Sequence, residues 1–250
     1  GNHGVVTAHQ AQLAYCYRIV GKYCEETGRT AEGKKFLEAD EALLAYIDRF
    51  MWDKDRRMYL DGWSPEKGNS STVSIQTHIM LYLYDGIMGE DKKELVKQYL
   101  LNPPAEFLKV GSPFMLYYLY QAYGKAGKRD LIFPDIKKRW GEMLKYDSTT
   151  CWEVFPGFYE NGRTRSYCHS WSASPAFFML RYLPGIRILE EGFRKITFET
   201  CPIELQWCRS SIPTPYGMIS IDWYKENGVY DVRMEVPEQI EFVPCKEEKV

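Results

Sequence analysis

A chain of 250 residues can bury about 70 to 75% of the surface its unfolded form exposes, so it needs neither disulfides nor a structural metal to hold a core. Its 45% hydrophobic and 26% charged residues are ordinary for a globular protein, and 32 Lys+Arg against 34 Asp+Glu leave a net charge of -2. That balance supplies no positive field to draw in nucleic acid or an anionic membrane, and seven cysteines with no C-x-x-C pair and no zinc-type histidine spacing argue against a disulfide framework or a metal site.

The chain starts GNHGVVTAHQAQ, without a basic segment or an apolar signal core, and passes directly into helical periodicity. Such a start suits a chain cut from a longer one, with any signal peptide upstream, so a soluble protein of either the periplasm or the cytoplasm is expected. No run approaches the roughly 20 apolar residues of a membrane span. Over residues 8–26, Ala11, Tyr15, Ile19 and Tyr23, flanked by Cys16 and Val20, mark one helix that stops before Gly28. A second stripe after Thr30 runs Phe36, Leu43, Leu44, Ile47, Phe50 and Met51. Met58, Tyr59 and Leu60 read as extended, and EKGNSS as a turn leading to a helix cap at Ser71 or Thr72.

Residues 73–87 are apolar on almost every side, which predicts a helix buried among other helices. A polar helix over residues 90–101 follows, and Ser112-Pro113 then opens the apolar run FMLYYLYQAYG, because serine caps and proline suits the first helical position. After Gly127 an amphipathic segment carries Ile132, Ile136, Trp140 and Leu144, with Pro134 as a candidate break. Apolar helices alternating with amphipathic ones predict helical hairpins in two layers, part of an α/α toroid. Beyond Gly185 the period becomes two. Ile219, Ile221 and Trp223 alternate with polar residues, Asn227-Gly228 supplies a hairpin turn, and Tyr230, Val232, Met234 and Val236 continue the alternation. The expected architecture is mainly α with a C-terminal β domain. It divides into a partial barrel over residues 1–186 and a small antiparallel β-sandwich over 187–250, which is short enough to need packing against the helices.

Between the last two helices of the barrel lies DSTTCWEVFPGFYENGRTRSYCHSWSASP, residues 147–175. It has no phosphate loop, no HExxH and no nucleophile elbow to compete with its carboxylates. Glycosidic hydrolysis needs two carboxyl groups, and a separation of about 6.5 to 9.5 Å leaves room for water and gives inversion. Glu153 is the best candidate for one of them, with Trp152 beside it as a candidate sugar-facing wall. Glu160 reads as an exposed turn residue next to Asn161-Gly162, and Asp61 and Asp85 as element-end carboxylates that cap or solvate. His169 either contacts a sugar hydroxyl or is a structural histidine, and Trp171 either stacks on a ligand or plugs a helix start. His78, in the all-apolar helix, reads as a hydrogen-bonded core residue. Arg163 and Arg165 either reach a substrate or form an exposed loop pair.

The ordered segments RWGEMLKYDSTTCWEVF, CHSWSASPAFFMLRYLPGIRILEEGF and IPTPYGMISIDW resemble the C-terminal half of a bacterial α-L-rhamnosidase of glycoside hydrolase family 78. The resemblance implies a six-hairpin (α/α) barrel, then a β-sandwich, and inverting hydrolysis of terminal α-L-rhamnosides without a cofactor or metal. It makes Glu153 the general base for water and His169 a sugar contact, with Trp152 and Trp171 at the matching aromatic positions. L-rhamnose-containing glycosides or polysaccharides would be the partners.

Two departures from the family pattern stand out. Ser170 occupies a position where the family usually has glycine, and the D-C-P-x-x-E-R-like segment that bears the family's general acid has no counterpart in this sequence. About seven helices, against the twelve of a whole barrel, suggest a half-barrel with its sandwich. Little hydrolase activity is expected of it alone, and dimerisation through the uncovered barrel face is a further expectation. The competing readings are a non-catalytic carbohydrate-binding or structural remnant, or another (α/α)-barrel glycosidase or lyase.

Overall fold

The computed structural model describes residues 4–160, 164–200 and 203–244. The chain forms two compact units, Gly1–Lys128 and Arg129–Val250.

The first unit opens with a two-residue strand β1 (Val5–Val6) and the hairpin of α1 (Thr7–Glu26) and α2 (Thr30–Phe50). Short strands β2 (Trp52–Asp53), β3 (Met58–Tyr59), β4 (Gly62–Ser64) and β5 (Gly68–Asn69) follow, then α3 (Ile75–Leu83), α4 (Glu90–Leu101) and α5 (Pro113–Lys125). Of the expected stripe of α1 only Ala11 is buried. Thr7, Ala11, Ala14, Gly21 and Cys24 are buried, whereas Tyr15, Ile19, Val20 and Tyr23 are exposed. The reason is close backbone approach: a Cβ on Gly21 would lie 2.8 Å from the Leu37 side chain, and one on Gly33 2.8 Å from the Gly21 carbonyl oxygen. Small residues therefore choose the α1–α2 interface, and larger apolar ones turn outward. Tyr15 finds a stacked partner in Tyr84, with ring centroids 4.6 Å apart. Ile47 on α2 and Met51 at its C-cap are buried as expected, but Phe50 is exposed.

Arg18 crosses the same interface. Its Nε and Nη2 donate to the two Asp40 carboxylate oxygens at 2.7 and 3.0 Å, and its Nη1 donates to the Tyr84 carbonyl at 3.1 Å. Hydrogen bonding to the Asp40 carboxylate raises the guanidinium pKa further.

α3 is buried on nearly every side, as the sequence predicts, but it is shorter than residues 73–87 and its cap is Ser74 rather than Ser71 or Thr72. The Ser74 hydroxyl accepts from the Thr77 amide at 3.4 Å and donates to Asp61 Oδ1 at 2.7 Å. Asp61 Oδ1 also accepts from the Ser74 amide at 3.0 Å and the Thr77 hydroxyl at 2.6 Å. Asp61 is thus the anchor of the helix start. A carboxylate oxygen with three donors contributes more than a neutral bond, so Asp61→Ala is expected to cost roughly 2 kcal/mol in urea unfolding. A loss below about 0.5 kcal/mol, the usual scale of a plain surface change, would rule out that anchoring role.

In the second unit a 3-10 turn leads into α6 (Ile132–Leu144). Pro134 does not interrupt it, because a proline in the first turn removes no helical hydrogen bond. Ile132 and Ile136 are buried as expected, but Leu144 is 69% exposed and Met143 is buried in its place. After a long loop come a 3-10 turn (Ser170–Ser172) and α7 (Ser174–Tyr182). Pro175 and Phe178 of α7 are buried while Phe177, Met179 and Leu180 are exposed, so its apolar run is covered on one side only.

The strands are β6 (Ile186–Glu190), β7 (Lys195–Phe198), β8 (Trp207–Thr214), β9 (Gly217–Glu226), β10 (Val229–Glu235) and β11 (Glu241–Val243). One sheet has the order β10-β9-β8 and is antiparallel throughout; the other has the order β11-β7-β6. The expectation of a wholly antiparallel sandwich is corrected at one place, since β11 runs parallel to β7. The chain makes β8, β9 and β10 before it returns, and a connection of that length allows a parallel partner where a tight hairpin does not. Ile219, Ile221 and Trp223 point inward as their alternation predicts, and Asn227-Gly228 takes φ of 51° and 83° at the β9–β10 turn. Ile196, Ile219 and Ile240 form the centre of the core, and the Trp223 indole donates to the Leu183 carbonyl at 2.8 Å, tying strand to helix end.

Candidate active site

The loop after α6 folds back on itself, and residues 150–154 run beside residues 164–169. The His169 amide donates to the Cys151 carbonyl at 2.9 Å, and the Glu153 amide to the Ser166 carbonyl at 2.9 Å. Thr150 donates its hydroxyl to the Tyr167 carbonyl, and the Val154 amide donates to the Thr164 hydroxyl at 3.2 Å. Main-chain bonds of this kind leave the side chains free to face either way.

Trp152 and Glu153 face differently. Trp152 is 5% exposed, with its ring edge-on to Tyr167 at 5.1 Å, and its amide donates to the Met143 sulfur. Val154 is also buried, and Glu153 between them is half-buried, the alternation of an extended segment. The expectation of Trp152 as an open sugar-facing wall is therefore corrected: its indole is used in packing. Among the described residues the Glu153 carboxylate has neither a hydrogen bond nor an ion pair, although its backbone is held at both ends.

The second of those backbone ties is Trp171, whose indole donates to the Glu153 carbonyl at 3.3 Å. The same indole stacks on the His169 imidazole, with centroids 4.1 Å apart and planes 21° apart, while Trp171 remains 41% exposed. Trp171 thus joins Glu153 and His169 into one group. His169 Nδ1 is buried without a hydrogen-bond partner among the described residues, and so are the hydroxyls of Ser172 and Ser174. Buried polar atoms of this kind are costly unless something satisfies them.

Ser170 has no positive φ and starts the 3-10 turn after an extended His169, so serine is accommodated here without backbone strain. Glu160 and Arg165 are exposed, as an ordinary surface loop would have them. Arg163, with Asn161 and Gly162, lies outside the described residues. In the other unit, Asp61 is occupied as the anchor of α3, and Asp85 is half-exposed beside Lys125 at 2.7 Å. His78 is fully buried: its Nε2 accepts from the Tyr59 amide at 3.1 Å, and its Nδ1 lies 2.9 Å from the Ser74 carbonyl and so carries the proton. Burial lowers its pKa to about 4, so it is a neutral core residue, as the sequence predicts. Among the described residues no three or more His, Cys, Asp and Glu side chains gather as a metal site, and no helix is long and apolar enough to cross a membrane.

Residues 1–183 match the bacterial alpha-L-rhamnosidase 6 hairpin glycosidase domain, and residues 185–243 match the bacterial alpha-L-rhamnosidase C-terminal domain. The crystal structure of a GH78 family rhamnosidase of Bacillus sp. GL1 is 34% identical, with a TM-score of 0.88 over 97% of this chain and 26% of that one. A rhamnosidase from Klebsiella oxytoca, solved with rhamnose bound, is 25% identical with a TM-score of 0.54, covering 69% of this chain and 33% of that chain. An alpha-L-rhamnosidase of Formosa agariphila is 28% identical over 128 residues, 48% of this chain and 13% of its own. The chain therefore spans about a quarter of the Bacillus chain and less of the Formosa protein. By these matches it belongs to the bacterial α-L-rhamnosidase family of six-hairpin glycosidases, and its fold is part of that barrel followed by the family's β domain.

Proposed function

We propose that this chain is the base-bearing part of an inverting α-L-rhamnosidase, with Glu153 as the general base that activates water and His169 and Trp171 as contacts to a terminal L-rhamnose. One observation carries the reading: Glu153 has a backbone held by Ser166 and Trp171 and a half-buried carboxylate with no competing partner among the described residues. A base must keep its oxygens available, and a rigid mounting keeps them aimed. The exposed face of Trp171 supports a sugar beside it, since a pyranose offers a C–H face to an indole, and His169 is stacked on that same indole. Trp152 contributes as buried support for this wall. The substrate is a rhamnose-containing glycoside or polysaccharide. The domain division proposed is a barrel part over residues 1–186 and a β domain over 187–250, and self-association through the exposed apolar helix faces belongs to the same proposal.

Glu160, the loop's other glutamate, is an exposed turn residue rather than a partner for Glu153, so the 250-residue chain is expected to turn over an aryl α-L-rhamnoside at or near the background rate. It is nevertheless expected to bind L-rhamnose in calorimetric titration, with affinity falling about tenfold in His169→Ala and in Trp171→Ala, the loss of one good contact. Absence of binding, or binding indifferent to both substitutions, would overturn the reading of the loop. Brisk turnover abolished by Glu153→Gln would instead show that the chain holds its own acid.

A further inference from the structure

A cleft of about 310 Å³ opens in the second unit between the end of α7 and the sheet that begins with β6, and none of the loop residues described above lines it. That volume is at the small end of the roughly 300 to 1,000 Å³ typical of ligand pockets, room for one sugar-sized body. Its charged lining is Arg129, Arg181, Arg187 and Glu199, so three guanidiniums face one carboxylate. Glu199 is already shared: Arg129 reaches one of its oxygens at 3.0 Å, and Arg187 the other at 3.4 Å. Arg181 has no carboxylate within 4.0 Å among the described residues.

Two of these cations lie against the same ring. The guanidinium of Arg129 lies 5.2 Å from the Tyr182 centroid and that of Arg181 5.7 Å from it, so they are at most about 11 Å apart. The cation–π contacts hold both side chains in place, yet they do nothing to offset the repulsion between them. Leu180, Ile186, Phe193 and Ile212 make the remaining wall apolar. The combination is a positive rim with unused N–H donors over an apolar surface. Guanidiniums bind planar carboxylates through paired hydrogen bonds, and an apolar wall suits a ligand with a C–H face.

We propose that this cleft binds a small carboxylate-bearing ligand with one apolar face, of the size of a single acidic sugar. The carboxylate engages Arg181 and Arg187, and the ring lies against Phe193 and the isoleucines. Glu199 positions Arg129 and Arg187 but competes for them, so it limits affinity.

Calorimetric titration of the 250-residue chain at low ionic strength tests this with D-glucuronate, with D-glucose as its neutral counterpart and with inorganic sulfate. Glucuronate is expected to bind one per chain and glucose not at all. The variant Arg181→Ala/Arg187→Ala is expected to weaken glucuronate binding about tenfold or more, whereas Glu199→Gln is expected to tighten it by freeing the other two guanidiniums. The opposite signs separate binding from fold damage, which would weaken both. Equal binding of glucose, sulfate binding without glucuronate binding, or glucuronate affinity unchanged in the double variant would each overturn the proposal.

Discussion

Asp40→Ala is expected to lower the stability of the first unit by about 3 kcal/mol. Asp40 is 5% exposed and receives two hydrogen bonds from Arg18 across the α1–α2 interface. Truncation leaves a guanidinium whose side chain is only 18% exposed with the Tyr84 carbonyl as its remaining partner. The cost is therefore that of an unpaired charge, larger than the net worth of the pair. This distinction is itself testable: Arg18→Met/Asp40→Leu, which removes both charges, is expected to lose less than Asp40→Ala alone. Urea unfolding of the parent and the two variants measures it. A single-variant loss under about 1 kcal/mol, the range of surface ion pairs, would mean that water reaches the pair freely.

Acidification is expected to destabilise the same unit by about 3 kcal/mol between pH 6.5 and pH 4 through His78 alone. The imidazole has an ordinary pKa near 6.5 in the unfolded chain, and burial lowers it to about 4 in the folded one. Between these values the unfolded state holds a proton that the folded state refuses, so unfolding takes up a proton and falling pH favours it. The stabilisation from the neutral ring is complete above pH 6.5, declines as pH falls toward 4, and changes no further below that. The roughly 2.5-unit difference sets the size at about 3 kcal/mol. Protonation would also place a second proton on Nε2, the atom that now accepts from the Tyr59 amide, among Tyr59, Tyr99 and Phe107. Urea unfolding of the parent and of His78→Gln across pH 4 to 7 isolates this contribution. A parent and variant with equal slopes in that window would show that His78 does not carry it.

The local grammar of the chain is legible in its residues alone. α4 begins and ends where its polar run does, Ser112-Pro113 starts α5 with serine as an acceptor for the Met115 amide, and Asn227-Gly228 makes the β9–β10 turn. These features depend on residues within a few positions of each other, so propensity, capping and periodicity decide them. The family is legible for a different reason. The ordered segments around Glu153 and His169 carry the family resemblance, and residues 1–183 and 185–243 do match the family's two domains.

Long-range geometry is not legible in the same way. Periodicity shows that α1 has an apolar stripe, but the buried stripe is the one of small residues, because α2 comes close enough to exclude tyrosine and isoleucine. The same limit applies to Trp152 and Trp171, two tryptophans of one loop. One is packed against Tyr167, while the other leans on His169 and bonds to the Glu153 carbonyl. It applies again to β11, which pairs in parallel with a strand more than forty residues earlier, and to Arg129, Arg181 and Arg187, which are scattered in the chain and meet at one cleft. Composition, element order and family are written in neighbouring residues and their order. Which face is buried, which indole is open and which charges meet depend on contacts between distant segments, and only the packed chain brings those together.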